Sequence, residues 1–325
     1  MTSIIFRQFL LLILGLFTLT LFTFGISQLF PDPLILSDAH AKTINDSLIE
    51  NYFNYIAFLS QGEWGLSRIS GRSVLDEFFI YFPATLELTT IAIIFALVLG
   101  LPLGIYAAEN KNKWQDKLIV STTLIGYSMP IFWWGMLLVL LFALTLGISP
   151  VASRIGFEYD ILPVTGFMLI DTLLSDQPYA LAAFQNALQH LVLPTIVLGT
   201  IPLAIFTRVT RSAMIDALSS DYIRTAKAKG LPYDRIIWSH ALRNAMIPIV
   251  TVIGLQISVL ITGTLITEKI FAWPGIGKWL LEAVYRRDLV TLHGGLLAIA
   301  SLVIIVNIAV EVLVHLVNPK LRHKK

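Results

Sequence analysis

The chain has 325 residues, of which 56% are hydrophobic and only 14% are charged. A soluble domain carries roughly 25% charged residues, so this composition indicates an integral membrane protein. Because the sequence contains no cysteine, disulfide frameworks, thiol catalysis and cysteine metal sites are excluded. The net charge is only +2, so the placement of the charges is more informative than their sum.

Apolar runs of roughly 20 residues predict the helices that cross the membrane. The sequence contains six such runs, at about 9–30, 86–108, 118–147, 188–207, 246–267 and 293–317. The third run is long and contains Pro130, which predicts a tilt or a kink. The first run is interpreted as an uncleaved anchor helix, because it is longer than a signal sequence and lacks a small-x-small cleavage site. The sequence therefore predicts an all-α membrane protein.

The basic residues are distributed unequally between the predicted loops. If the N terminus is cytoplasmic, most of the 23 Lys and Arg residues lie on the cytoplasmic side, as the positive-inside rule requires. Six spans then place both termini in the cytoplasm. The predicted organisation is an anchor helix with an external segment at 1–81, a five-helix transmembrane core at 82–315, and a basic cytoplasmic tail at 316–325.

One long polar and basic segment, at about 208–245, interrupts the apolar pattern. Asp221 is predicted to cap a short helix through its carboxylate, and Gly230 suits the left-handed position that ends such a helix. Pro232 is predicted to begin a second helix, at about 233–247, because the first turn of a helix does not need its missing N–H group.

Two functions are compatible with this segment. It is far longer than a simple connection between two spans, and Ala226, Ala228 and Gly230 offer small surfaces where a partner protein could be seated. Alternatively, the basic side chains hold the segment against anionic lipid, since each contributes about 1 kcal/mol near such a surface.

The sequence DYIRTAKAKGLPYDRIIWSHALRNAMIPIVT, at 221–251, resembles the cytoplasmic coupling loop of ABC importer permeases, and specifically their peptide branch. In the general signature, Arg224 and Thr225 stand where Glu and the first Ala are found, whereas Ala226 and Gly230 match. Three further segments resemble the same branch in order and separation. They are FPATLELTTIAIIFALVLGLPLGIYAA at 82–108, GYSMPIFWWG at 126–135 and FAWPGIGKWLLEAVYRRD at 271–288.

The resemblance implies a type I ABC importer permease with six transmembrane helices in the bacterial inner membrane. It implies three kinds of partner, namely a second homologous permease, two ABC ATPase subunits and a periplasmic peptide-binding protein. The residues that it assigns to the ATPase contact are Asp216, Asp221, Tyr222, Arg224, Thr225, Ala226, Ala228 and Gly230. The partner subunits would bind ATP, since a GxxxxGK[ST] phosphate loop is absent from this sequence. We therefore expect no catalytic residue, no metal, no cofactor and no nucleic-acid contact in this chain.

Three further features carry narrower predictions. Gly100 and Gly104 form a small-xxx-small pair that lets another helix approach closely, although glycine is also frequent in membrane helices without such a role. The segment Trp273, Pro274 and Gly275 is a possible contact with the binding protein, and its Trp also suits the interfacial belt. Glu87 lies near a predicted span boundary where it would reach water, so a role in the substrate path is one hypothesis.

The cargo is the least determined property. PVTGFMLIDTLLSD at 163–176 and SLVIIVNIAVEVLVHLVNP at 301–319 further resemble the Sap-type permeases, which implies uptake of antimicrobial peptides and a contribution to resistance against them. A dipeptide or haem role stays open. Two alternatives from other classes are an ion-coupled secondary transporter, which requires paired ionisable residues near the membrane midplane, and a scaffold that transports nothing.

Overall fold

The structure of the protein, a computed structural model, describes residues 2–29 and 47–317. Within these residues the chain is helical and contains no named strand. In chain order the helices are α1 Thr2–Leu29, α2 Leu48–Ser60, α3 Val74–Glu109, α4 Trp114–Ser128, α5 Ile131–Thr145, α6 Met168–Leu174, α7 Ala180–Leu218, α8 Asp221–Ala228, α9 Tyr233–Gly263, α10 Leu265–Ile270, α11 Ile276–Tyr285 and α12 Leu289–Val317. Most of the predicted tail, from residue 318 onward, lies outside the described residues.

Four helices of the described residues, α3, α7, α9 and α12, are long and apolar enough to cross a membrane. α4 and α5 reach this length only together, and they are bent by 102° at the break between them. The apolar part of α1, Leu10–Ile26, is shorter. The prediction of an all-α membrane fold is confirmed, whereas the number of six spans stays a prediction.

The kink predicted at Pro130 is a complete break of the helix. Met129 has an extended backbone, with φ −77° and ψ 131°, and Pro130 starts α5 as its N-cap. A proline disfavours helical backbone at the residue before it, which explains why α4 ends at Ser128. The single long span predicted at 118–147 is therefore two helices, and the break leaves a groove between them.

The helices are longer than the apolar runs that predicted them. α3 begins at Val74, well before residue 86, so the predicted boundary at 81–82 falls inside this helix. The helix predicted at about 233–247 and the span predicted at about 246–267 form one continuous helix, α9, which passes through Pro248. Proline is tolerated inside membrane helices because other groups can satisfy the freed backbone carbonyl. Nearer its start, α9 also contains a π-turn at Ile236–Ala241.

The helix directions follow from side-by-side contacts. α1 and α12 are antiparallel, since Gly15 lies against Ile304 while Thr23 and Gly294 line one small cavity. The start of α12 lies beside the start of α3, where Gly294 packs against Val74. The start of α1 and the ends of α3 and α12 are thus on one side, which we call the predicted cytoplasmic side.

α3 and α7 run parallel and pack closely toward this side. A Cβ atom on Gly100 would lie 3.1 Å from the Cβ of Phe206, and one on Gly104 would lie 2.6 Å from the carbonyl oxygen of Thr207. The second distance leaves no room for a side chain, so these glycines let the two helices approach each other. α7 therefore ends beside α3, and the short helix α8 follows directly.

Candidate functional site

The short helix α8 begins one residue earlier than the predicted cap requires. Ser220, with an extended backbone, is the N-cap, and its hydroxyl donates to the carbonyl of Ala217 rather than accepting from α8. Asp221 is the first residue of α8, so the prediction that it is the N-cap is wrong. Its carboxylate still stabilises the helix, because it lies near the positive end of the helix dipole.

The end of α8 is as predicted. Gly230 has φ +74°, a conformation that other residues adopt only with strain. Its N–H donates to the carbonyl of Lys227 at 3.0 Å, and the N–H of Leu231 donates to the carbonyl of Ala226 at 3.3 Å. These two bonds form a Schellman motif, which stops the helix and directs the chain into Pro232 and α9.

The inner face of α8 is anchored in the protein core. Ile223 is 0% exposed and Ala226 is 7% exposed, one turn later on the same face. They pack in one cluster with residues of three long helices, α3, α7 and α9, namely Ile105, Ala108, Met214, Ala217, Ile236, Ile237, Ala241, Ala245 and Ile249. Ala226 was expected to offer a small surface to a partner. It faces this internal cluster instead, because the spacing of three residues places it above Ile223.

The outer face of α8 is open to solvent. The other predicted contact residues are all exposed, and they are Asp216, Asp221, Tyr222, Arg224, Thr225, Ala228 and Gly230. Asp221 and Arg224 lie 3.5 Å apart, but their side chains are 97% and 78% exposed. Such a pair contributes little to stability, so its charged groups are available to another protein.

A partly buried ion pair between α7 and α4 was not predicted. The guanidinium of Arg211, on the last part of α7, donates two hydrogen bonds to Asp116 in the first turn of α4. The backbone N–H of Asn112 donates to the same carboxylate at 2.9 Å. In the sequence, Arg211 is one of several basic residues of the segment at about 208–245, and no local signal links it to an aspartate in another loop.

A second group of buried polar contacts lies on the opposite side of the membrane fold. Glu268 is fully buried; one of its oxygens accepts from the Thr85 hydroxyl at 2.7 Å and the other from the Lys278 N–H at 3.0 Å. Burial raises the pKa of Glu268, and the hydrogen bonds from Thr85, Lys278, Thr264 and Gly277 oppose that rise. This carboxylate ties α10 to α3 and to the start of α11.

The loop around Glu268 corrects one prediction. Trp273 is fully buried, and its Nε1 donates to the carbonyl of Ala84 at 2.9 Å. Gly275 is buried against the Glu268 carboxylate. A contact of Trp273 or Gly275 with a binding protein is excluded by this burial, and a place for Trp273 in an exposed aromatic belt is excluded too. Pro274 alone of the three is partly exposed, at the edge of a cavity of about 180 Å³.

Glu87 is likewise buried rather than in contact with water. It forms an ion pair with Arg154 at 2.5 Å and accepts from the N–H of Leu169 at 2.9 Å. The guanidinium of Arg154 lies 5.5 Å from the centre of the Trp273 ring. These contacts fasten the segment before α6 to α3, which accounts for Glu87 as a structural residue.

Comparison with known proteins places this arrangement in a family. Residues 100–323 match the family described as binding-protein-dependent transport system inner membrane component. The Di/tripeptide transport system permease protein DppB of Pseudomonas aeruginosa is 47% identical, and the Dipeptide transport system permease protein DppB of Escherichia coli K12 is 43% identical, each over 100% of both chains.

A more distant relative bears on the Sap-type prediction. The Putrescine export system permease protein SapB of Escherichia coli K12 is 38% identical, over 98% of this chain and 97% of that protein. The identities thus favour the DppB proteins over SapB, and the Sap-specific part of the prediction is not confirmed.

A solved structure supports the fold. The MetNI methionine ABC transporter, in an inward-facing conformation, contains a chain that matches with a TM-score of 0.55 at 15% identity, over 72% of this chain and 93% of that chain. At this identity the likeness concerns the fold alone, a type I importer permease. The relatives are transport permeases rather than enzymes. The chain belongs to the family of binding-protein-dependent transport system inner membrane components, as an ABC transporter permease of the inner membrane.

Proposed function

We propose that this chain is one permease subunit of an ATP-driven importer of di- and tripeptides. The observation that carries the proposal is the two-sided construction of α8. Its outer face is exposed and charged, whereas Ile223 and Ala226 hold its inner face in a cluster shared by α3, α7 and α9. The full-length identity to the DppB permeases supports the choice of short peptides as cargo.

The construction of α8 suits the transmission of force. A protein that binds the outer face and moves would displace α8 as a rigid body, because the Schellman motif at Gly230 and the buried cluster resist local bending. Since three long helices share that cluster, they would tilt together. The source of the movement is ATP binding by the partner subunits, and α8 of this chain transmits the movement to the long helices.

The proposed assembly has four kinds of component. They are this chain, a second homologous permease, two ATPase subunits that contact α8 and its counterpart, and a periplasmic binding protein that delivers the peptide. Asp216, near the end of α7, is proposed to lie in the ATPase contact together with Tyr222, Thr225 and the other exposed residues of α8. Ala226 is left out of this contact because it is buried.

Reconstitution tests the proposed function. Vesicles that contain both permeases and both ATPases, supplied with the binding protein, are expected to take up a labelled dipeptide only when ATP is present on the ATPase side. Omission of the ATPases is the control. Uptake that continues without them, driven by an ion gradient, would establish a secondary transporter and refute this proposal.

The cargo is tested in the same vesicles by competition. Unlabelled di- and tripeptides are expected to reduce the uptake of the labelled dipeptide, whereas a cationic antimicrobial peptide and putrescine are expected to have no effect. The reverse pattern of competition would favour a Sap-type role. It would overturn the choice of cargo without affecting the assignment as a permease.

A further inference from the structure

Two arginines of α7 lie one turn apart but have different partners. The charge of Arg211 is compensated by the buried carboxylate of Asp116. Arg208 is exposed, and its guanidinium lies 5.3 Å from the centre of the Tyr127 ring on α4. Among the residues that the structure describes, no carboxylate forms an ion pair with Arg208. Its charge is thus supported by an aromatic face alone.

The guanidinium of Arg208 is directed away from the predicted cytoplasmic surface. Side chains on a helix tilt toward its N terminus, and α7 runs toward the cytoplasmic side, so Arg208 tilts into the membrane region. Its partner Tyr127 lies 13 residues after Trp114, which is roughly 20 Å along α4 at a rise of about 1.5 Å per residue. The hydrocarbon core of a bilayer is only about 30 Å thick. An arginine that reached for lipid headgroups would extend in the opposite direction.

An open, mainly apolar groove is formed by residues that neighbour Tyr127 in the sequence. The break between α4 and α5 opens a groove of about 630 Å³. It is lined by Leu124, Ile125, Ser128, Met129, Pro130, Phe132 and Trp133. Ser128 directly follows Tyr127, and Leu124 precedes it by one helical turn. The guanidinium of Arg208, which no carboxylate of the described residues compensates, thus lies beside the end of α4 that borders this groove, on the membrane side of the Asp116–Arg211 pair.

We propose that Arg208, held by the Tyr127 ring, binds the C-terminal carboxylate of the transported peptide. The planar guanidinium presents paired N–H donors that match a carboxylate, and among the described residues no carboxylate forms an ion pair with Arg208. The groove between α4 and α5 accommodates an apolar side chain of the same peptide. This inference rests on the proposed function, because it takes a peptide as cargo.

The test measures binding to the complex of both permeases and both ATPases, without the binding protein, whose own selectivity would otherwise contribute. The probes are a radiolabelled apolar dipeptide with a free C terminus and the same dipeptide with a C-terminal amide. The original complex is expected to prefer the free acid. Arg208→Gln is expected to lower the affinity for the free acid about tenfold and to leave the affinity for the amide unchanged. Arg208→Lys keeps the positive charge but loses the paired N–H donors. Its affinity for the free acid is expected to lie between those of the original complex and of Arg208→Gln.

Arg243→Gln is the matched control, since Arg243 is an exposed cation of α9 to which no role is assigned here. It is expected to leave both affinities unchanged. An equal loss for the two probes in Arg208→Gln would overturn the proposal, because Arg208 would then act on folding or on the second permease. The absence of any preference for the free acid in the original complex would overturn it too.

A second set of measurements tests whether the loss of affinity in Arg208→Gln arises from a contact of Arg208 with lipid. The binding measurements are repeated in nanodiscs of neutral lipid and in nanodiscs that contain anionic lipid. The loss caused by Arg208→Gln is expected in both. A loss confined to anionic nanodiscs would assign Arg208 to a lipid phosphate and refute the peptide site. These outcomes are independent of the proposed function, which fails only if ATP-dependent uptake of a dipeptide is absent in the reconstituted transporter.

Discussion

Asp116 and Arg211 join two helices through a paired contact. Nε of Arg211 donates to Oδ1 of Asp116 at 2.5 Å, and Nη2 donates to Oδ2 at 2.7 Å. The first turn of α4 is thereby fixed to the last part of α7, which continues into α8. A displacement of α8 is thus passed to the α4–α5 pair as well as to the three helices of the core cluster.

We expect Asp116→Asn to weaken this connection. Loss of the carboxylate leaves the Arg211 charge without its partner, at a cost that we place at about 1–3 kcal/mol, below the value for a fully buried pair because Arg211 is partly exposed. The purified complex should unfold at a lower temperature. In the double variant with Arg211→Met, part of the loss should be recovered, since no unpaired charge remains. The loss in the double variant is compared with the losses in the single variants Asp116→Asn and Arg211→Met. If it equals their sum, the two residues are not coupled.

Gly230→Val is expected to detach the ATPase while membrane insertion is retained. The φ of +74° is unfavourable for a β-branched residue, and a Cβ atom here meets no atom of this chain within 4 Å, so the effect within this chain is strain in the backbone. Gly230→Asn is the matched control, because Asn tolerates this conformation. Co-purification of the ATPase and ATP-dependent uptake measure the effect. If Gly230→Val co-purified with the ATPase as fully as the original chain and supported normal peptide uptake, the end of α8 would have no role in coupling to the ATPase.

Gly104→Ala should destabilise the contact between α3 and α7. The added methyl group would lie 2.6 Å from both the carbonyl oxygen of Thr207 and the Cβ of Thr210, so the helices must separate, at about 1–3 kcal/mol. Gly263→Ala is the control, since a Cβ at that helical glycine meets no atom within 4 Å. Thermal unfolding in detergent compares the two. Equal unfolding temperatures would contradict the close packing.

Glu268 should make the stability of the complex depend on pH. Its pKa is raised in the folded protein above the ordinary value of about 4.5, because burial disfavours the charged form. The folded state therefore retains this proton more firmly than the unfolded state. The resulting contribution to stability is fully present below pH 4.5 and is lost as the pH rises through the raised pKa.

Glu268→Gln removes this proton equilibrium. The unfolding temperature of the original complex is expected to fall relative to that of the variant as the pH increases from about 4.5 toward neutral. The measurement is thermal unfolding at a series of pH values, and the difference between the two proteins isolates the contribution of Glu268. Parallel curves for the two proteins would show that Glu268 has the same pKa in the folded and unfolded states.

Local features of the candidate site were predictable from the sequence. The left-handed Gly230 and the start of a helix after Pro232 depend on backbone preferences of single residues. The kink at Pro130 has the same origin. The two faces of α8 are also marked in the sequence, since Ile223 and Ala226 stand three residues apart among charged residues. Ala226 was assigned to the wrong face because its small side chain was interpreted as a seat for a partner protein.

The polar contacts between distant helices could not be predicted from the sequence for a different reason. Thr85 and Glu268 are 183 residues apart in the sequence, and Asp116 and Arg211 are 95 apart. Nothing in a single sequence indicates which distant carboxylate meets which donor. The burial of Trp273 likewise depends on long-range contacts. The residue type alone therefore suggested a contact with the binding protein, whereas the fold buries the side chain.

The sequence by itself determined the membrane class and the glycine that ends α8, and it predicts the sidedness, because hydrophobicity, positive charge and turn preferences act over a few neighbouring residues. The tertiary structure alone decided which charges are compensated. Arg208 and Arg211 have the same chemistry and nearly the same position on α7, yet only one of them meets a carboxylate. That difference arises from how α4 packs across α7, and it is what distinguishes a structural arginine from the proposed peptide site.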